Sequence, residues 1–274
     1  MFILVLFLST VTRSTPGQTI DSLKMLIKDI QRGANDSIRF ASNDLFLAGF
    51  EKLLQRNGSF QEKFDSLKNV SIVTSEDNQV RLFTWLLPYY DGHRYDYYGF
   101  IQYKVNTRDT LLRLQDSTRG INKPESEKLT TDRWLGCIYY HIIKVTRSRK
   151  TYYTLLGWKA RDETFSQKII EILYFDKDKA KFGFPLIKAG SIFKNRMVFT
   201  FNALATMTLH YDKKYKGIVF DHLSSNKNNP SQIIGPDGTY DALKYKKRKW
   251  ILYRDVDVRT LWEPKKEYAE PPPE

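Results

Sequence analysis

"QVRLFTWLLPYYDGHRYDYYGFIQYKV", residues 79–105, is where the hydrophobic period of this chain changes. Its first arm sets Val80, Leu82 and Thr84 against Arg81, Phe83 and Trp85. That is the two-residue alternation of a β-strand, not the 3.6-residue spacing of a helix. "DGH" supplies a turn, and "YYGFIQYKV" resumes the aromatic and β-branched composition of a strand, so the stretch reads as a hairpin. Downstream come "LLRLQD", "CIYYHIIKV", "TYYTLLGW", "KIIEILYF", "RMVFTF", "ATMTLHYD", "GIVFDHL", "TYDALKY" and "WILYRDV", each strand-like and joined by short polar connections. "KYKKRKW" reads as a hairpin with a basic tip, whereas "TRDTLL", "TRGINKPESEKLTTD" and "SSNKNNPSQ" read as loops. Without helical patterns between the later runs, βαβ crossovers and a parallel sheet are not expected, and an antiparallel meander follows, barrel-like or a sandwich.

Upstream of residue 70 the period is helical. Ile20, Leu23, Ile27 and Ile30 recur at three- and four-residue intervals, with Asp21 placed to cap them. Phe40, Leu47, Phe50 and Leu54 continue the pattern as far as the stop signal "NG", and Ser59 with Glu62 has the spacing of a capping box for a third helix. The class is therefore α+β and β-dominated, with N-terminal helices packed on a large antiparallel β-meander. A helical segment at 18–69 precedes a β domain at 70–262, and a proline-rich tail at 263–274 reads as disordered. The apolar run Phe2–Leu8, followed by small polar residues, has the form of a secretory signal peptide ending near residue 17.

The chain of 274 residues carries 44 basic and 31 acidic side chains, a net charge of +13, and 14% of it is aromatic. A surplus of that size suits polyanions or an anionic membrane surface, and it equally serves solubility and the protection of sheet edges. Cys137 is the single cysteine and sits among apolar neighbours, so it reads as a small core residue, and no internal disulfide can form. Export without disulfides points to the periplasm or cell envelope of a Gram-negative bacterium.

The motifs exclude several chemistries. His93, His141, His210 and His222 share no metal-ligand spacing, and "DKDKAK" lacks the glycine and closing glutamate of a calcium loop, so no metal is expected. Neither GxSxG nor a glycine-rich phosphate loop occurs, so no nucleotide or other cofactor is expected. Ser224 and Lys227 match SxxK by count alone.

Two constellations remain. Tyr89, Tyr90, His93, Arg94, Tyr95 and Tyr97 form the densest aromatic–polar cluster, able to stack on sugar rings and hydrogen-bond their edges, or simply to pair across a hairpin. In "IVFDHLSSNKNNPSQIIGPDGTYDA" (218–242), alternation sends Asp221 and His222 to opposite faces, so His222 needs another carboxylate, Asp237 or Asp241, to act as a base. "GPDG" has the composition of a type I turn, so the stretch also reads as strand end, loop and turn.

The series "RLFTW", "GFIQYK", "YYTLLGW", "IVFDHLS" and "GPDGTYDA", over about residues 70–258, resembles a family of uncharacterised exported bacterial proteins. The resemblance implies export and a β-rich domain and carries no activity. This chain departs from that pattern at Ser225, where the family has proline, and at Lys159, where an acidic residue follows Gly157–Trp158; the "GWKARDE" loop therefore inherits no ligand role. Residues and resemblance together lead to a non-catalytic envelope module that binds or holds a polyanion, a glycan or a membrane surface. The alternative is a hydrolase using His222 with a nearby carboxylate. Oligomeric state is left open.

Overall fold

In a computed structural model of the chain, which describes residues 19–105, 108–160, 162–226 and 229–257, Thr19 rather than Asp21 caps the first helix. The leader expected at 1–17 and the tail expected at 263–274 lie outside the described residues. Helix α1 (Ile20–Arg32) buries Leu23, Ile27 and Ile30, and α2 (Asp36–Leu54) begins at the Asn35 cap, whose side chain accepts from the Ile38 amide. The third helix does not form; Ser59–Gln61 make a single 3₁₀ turn. The capping residues are engaged elsewhere. Buried Ser59 donates its hydroxyl to the Leu54 carbonyl at 2.5 Å and accepts from Gln102 Nε2 at 3.0 Å, while Glu62 pairs with Arg56.

Strands β1 (Ser71–Thr74), β2 (Val80–Pro88), β3 (Tyr95–Val105) and β4 (Arg108–Gln115) form the first sheet in sequence order, so the stretch read as the loop "TRDTLL" is largely strand. The second sheet contains β5 (Leu129–Thr130), β6 (Ile138–Arg147), β7 (Lys150–Ala160), β8 (Phe165–Asp176) and β9 (Lys179–Phe182). The remaining strands are β10 (Ile187–Ala189), β11 (Ile192–Lys194), β12 (Arg196–Asn202), β13 (Leu209–Asp212), β14 (Gly217–Asn226), β15 (Asn229–Lys246) and β16 (Lys249–Tyr253). β12 joins the second sheet beside β8; the others make the third, ordered β11-β10-β16-β15-β14-β13. Pairing is antiparallel throughout the described ladders except where β10 runs parallel to β16. The described strands do not close into a barrel.

Four layers result: helices, first sheet, second sheet, third sheet. Phe83, Trp85, Leu87 and Phe100 pack on the helices, with Trp85 Nε1 donating to Asn43 at 2.9 Å. Leu82, Tyr97 and Ile101 on the opposite face meet Tyr139, Leu155 and Leu173 of the second sheet. Ile143, Leu156 and Ile170 turn outward to meet Ile218, Leu243 and Trp250 of the third. Sheets buried on both faces account for near-continuous apolar strands such as "RLFTWLL". Arg81 survives there because its guanidinium donates to the Phe60 and Glu62 carbonyls (3.1 and 2.8 Å) and lies over the Phe64 and Phe83 rings.

The "GPDG" turn is corrected by the ladder. β15 runs through it, and the reversal lies between paired Asn226 and Asn229, inside the stretch read as a loop. Register steps from Asp221↔Tyr240 to Leu223↔Pro236, so Asp237, Gly238 and Thr239 bulge opposite His222. Asp237 Oδ1 accepts from the Thr239 amide and hydroxyl (3.0 and 2.8 Å), and Gly238 at φ 89° completes the local turn. The turn chemistry was real and was spent on a bulge.

Between the first and second sheets lies a fully buried ion pair, Glu171 on β8 with its register partner Arg196 on β12. Tyr139 donates its hydroxyl to Glu171 and accepts from Trp134 Nε1 at 2.9 Å; Arg196 also donates to the Pro124 and Glu127 carbonyls. Arg196→Ala, which strands the Glu171 carboxylate, lowers unfolding free energy by about 3–5 kcal/mol, whereas the double change Glu171→Leu with Arg196→Met recovers most of it; urea unfolding measures both. Lys247 and Arg248 occupy left-handed positions (φ 49° and 62°) in a two-residue hairpin that favours Asn-Gly. Arg248→Gly therefore stabilises by about 0.5–1 kcal/mol, net of the entropy glycine adds to the unfolded chain.

Candidate binding cleft

Where β3 begins and β4 ends, a cleft of about 980 Å³ opens between the first sheet and the end of β7. The hairpin before β3 turns at Gly92 (φ 75°), with the Tyr89 amide donating to the Arg94 carbonyl at 2.9 Å. Strand alternation then divides the aromatic run. Tyr95 and Tyr97 pack toward the second sheet, and Tyr98 turns to the helix side, stacked on Trp85 at 5.8 Å. Tyr97 is fixed by its hydroxyl, which donates to the Ala160 carbonyl at 2.7 Å.

The floor is built around buried Lys159. Its Nζ donates to Thr118 Oγ1 at 2.8 Å and to the Gly136 carbonyl at 2.6 Å, and lies 4.3 Å from the centre of the Tyr97 ring. Asp116 Oδ1 accepts from the Thr118 amide (2.9 Å), the Thr118 hydroxyl and the Gly136 amide (3.2 Å). Thr118 thereby links lysine to carboxylate through one hydroxyl. Gly136 is required here, because a Cβ would fall 2.5 Å from the Asp116 carboxyl carbon. Burial lowers the pKa of Lys159, and Asp116 opposes that shift. Burial first, with Asp96 and Asp44 adding, pushes Tyr98 up to about 12.

Charge around the cleft balances. Arg94, Arg113, Arg119 and Lys159 face Asp96, Asp116, Asp132 and Asp162, so the net charge of the chain is not concentrated there. Of the aromatic–polar cluster, His93, Arg94, Tyr95 and Tyr97 line the cleft, with the His93 ring against Glu163. Tyr89 stands behind it, donating to Asp96 Oδ2 at 3.0 Å beneath the Arg94 guanidinium. Tyr90 lies apart, its amide held by Asp36 Oδ1 at 2.6 Å and its ring under Arg39. Lys159, Asp116 and Thr118 were missed by sequence reasoning. A signal existed: Tyr153, Leu155, Gly157 and Lys159 share one alternating face of β7, which puts a lysine on a core-facing position.

His222 and Asp241 come together, with Nδ1 3.0 Å from Oδ2. Arg254 Nη1 lies 2.8 Å from the same Asp241 oxygen and 2.9 Å from the same ring nitrogen, and the Asp255 amide donates to Asp241 Oδ1 at 3.2 Å. An arginine only donates, so Nδ1 either accepts from Arg254 or donates to Asp241, and the carboxylate is shared in both cases. Asp237 is engaged in its bulge, and Asp221 accepts from the Thr208 amide at 2.7 Å. None of these residues lines the cleft. Cys137 is buried with its thiol pushed up by burial, as suits a core residue. Among the described residues, no group of three His, Cys, Asp or Glu is arranged to hold a metal ion.

The depressed pKa of Lys159 sets a pH signature. Between that value and the ordinary 10.5 the unfolded chain holds a proton the folded chain lacks, so stability rises with pH across the window. The wild type should gain on Lys159→Met as pH rises from neutral through that window, measured as the difference in urea-unfolding free energy. A pH-independent difference would contradict it. Compared with family models, with curated proteins and with solved structures, the chain matches none.

Proposed function

We propose that the protein is an exported, non-catalytic module of the bacterial envelope that binds a glycan in this cleft. The observation that carries the reading is the juxtaposition of Tyr95 with a balanced set of guanidinium and carboxylate groups, mounted on strand ends and the turns beside them. A sugar ring presents an apolar face for an aromatic ring and hydroxyl edges that both donate and accept. A polyanion would favour an excess of cations, which the cleft lacks. The acceptors and donors are held before any ligand arrives: Asp96 by Tyr89, Asp116 by Thr118 and Gly136. Preorganisation of this kind lowers the ordering cost of binding.

The second reading, a hydrolase based on His222, is favoured by the 3.0 Å contact with Asp241. Arg254 weakens it, since it already neutralises the carboxylate that would orient the imidazole. The cluster reads more naturally as a clamp joining β14, β15 and the chain after β16.

A glycan array followed by calorimetry on the strongest oligosaccharide tests the proposal. Tyr95→Ala should weaken binding about tenfold, the loss of one aromatic face, when measured well below the melting temperature of the variant, which also loses Tyr95 packing and its bond to the Gly92 carbonyl. Binding should persist in high salt, because it does not rest on net charge. Absence of glycan binding by the wild type, or binding indifferent to Tyr95, Asp96 and Arg113 substitutions, would overturn it. Under this reading His222→Ala leaves glycan affinity unchanged; hydrolysis of a substrate panel that disappears in His222→Ala would establish the second reading instead.

A further inference from the structure

The structure assigns a second surface, distinct from the cleft: the opposite end of the sandwich is a basic face that docks on an anionic lipid bilayer. β7 runs from Lys150 to Ala160, so the face and the cleft lie at its two ends, about 35 Å apart at the usual rise of a strand.

Hairpin tips of the second and third sheets converge on this end. Tyr245 donates its hydroxyl to the Thr146 carbonyl at 2.7 Å, which sets the Lys246–Lys249 tip beside the tip carrying Arg147, Arg149 and Lys150. Asp176, at the mouth of the β8–β9 turn, is held low chiefly by its bond to Lys181, with Lys150 and Lys177 contributing, so that tip belongs to the same end. The register Gly217↔Lys244 brings in the turn that carries Lys213, Lys214 and Lys216. Most of these cations are exposed.

Their positions within the turns are informative. Arg149, Lys177, Lys247 and Arg248 all stand at positive φ, between 46° and 64°, in turns where Asn or Gly is the unstrained choice. Lys216 (φ 51°) does the same, while Ser148 (φ 49°) and Asp178 (φ 62°) fill the remaining left-handed positions of these turns, so positive charge predominates there against the local backbone preference. Beside the Lys246–Lys249 tip, β11 presents Ile192 and Phe193, 50% and 46% exposed, and Lys249 Nζ lies 5.6 Å from the Phe193 ring. β11 is an edge strand, with Ile192 and Phe193 on its opposite faces. A cationic face beside such an edge is the chemistry of a bilayer interface, where cations meet headgroups and the strand edge, apolar on either side, enters the acyl boundary. A nucleic acid would use the cations and leave Ile192 without a role, so the bilayer is the partner chosen. Docking by this end turns the cleft away from the membrane, into the aqueous layer.

Vesicle flotation with the full chain tests this, comparing phosphatidylglycerol-containing vesicles with pure phosphatidylcholine. The wild type should float with the anionic vesicles alone and be released by salt. Lys247→Asn with Arg248→Gly should weaken vesicle binding about 25-fold, at about fivefold per basic residue lost, while raising stability, so misfolding cannot explain the loss. Ile192→Ser with Phe193→Ser should weaken binding in low salt as well. Lys24→Glu with Lys28→Glu, on α1, should leave it unchanged. Equal binding to both vesicle types, no binding by the wild type, insensitivity to the tip variant, or tip-dependent retention on duplex DNA without vesicle binding would each overturn the proposal. Glycan affinity in the tip variant reports on the cleft independently.

Discussion

The Glu171–Arg196 pair holds the architecture to one arrangement. Removing two charges from water is costly, and the cost is offset here by several partners: Glu171 takes Tyr139 and Arg196, while Arg196 also takes two main-chain carbonyls. Those carbonyls belong to Pro124 and Glu127, in the segment that crosses between the first and second sheets. The residue just before β12 continues the grip, with the Asn195 amide donating to the Glu125 carbonyl at 3.0 Å and its side chain to the Ser126 carbonyl at 2.5 Å. A buried pair is a poor source of net stability. Its value is positional, because no other registration of β12 against β8 satisfies both charges and the crossing segment together.

The cleft inherits that position. Asp116, Thr118 and Gly120 stand at the start of the crossing segment and Gly136 at its end, so the wall and floor around Lys159 are set by a segment whose middle is pinned by Arg196. The same logic explains why Lys159 can be buried. Its hydrogen-bond partners come from the two ends of that segment, tied to each other through Asp116, and the Tyr97 ring comes from β3.

Periodicity carried much of the fold and little of its assembly. The shift from a helical to a two-residue period near residue 70 located the helices and the strands, because burial on one face or two leaves its mark on spacing. Layer order left no such mark, since Leu82 and Phe83 look alike in sequence yet enter different cores. The Ser59–Glu62 spacing misled because a capping box requires free side chains, and both residues were committed to α2 and its loop. His222 and Asp241 were legible as a pair only in part. Alternation put His222 on the Phe220 face, and Asp241 lies opposite Phe220, but that register depends on the Asp237–Thr239 bulge, which composition presented as a turn. Lys159 was hidden for a different reason: a lysine next to "RDE" reads as the start of a polar loop until the alternating face of β7 is followed one step further.

Net charge, the most conspicuous number in the sequence, turns out to be a statement about turns. Strands buried on both faces have almost no room for cations, and those inside, Arg81, Lys159 and Arg196, are each held by carbonyls, a hydroxyl or a carboxylate. The remaining positive charge is therefore driven to the tips and edges. Which tips receive it is not dictated by that exclusion, however. The hairpin at 89–94 carries both signs and borders a balanced cleft, whereas those at 147–150 and 246–249 are cationic, with residues at left-handed positions that their side chains disfavour. Solubility alone would be satisfied by charge at unstrained positions nearby. The asymmetry between the two ends is thus the part of the +13 charge that the fold does not explain, and it is the part that a directional surface would require.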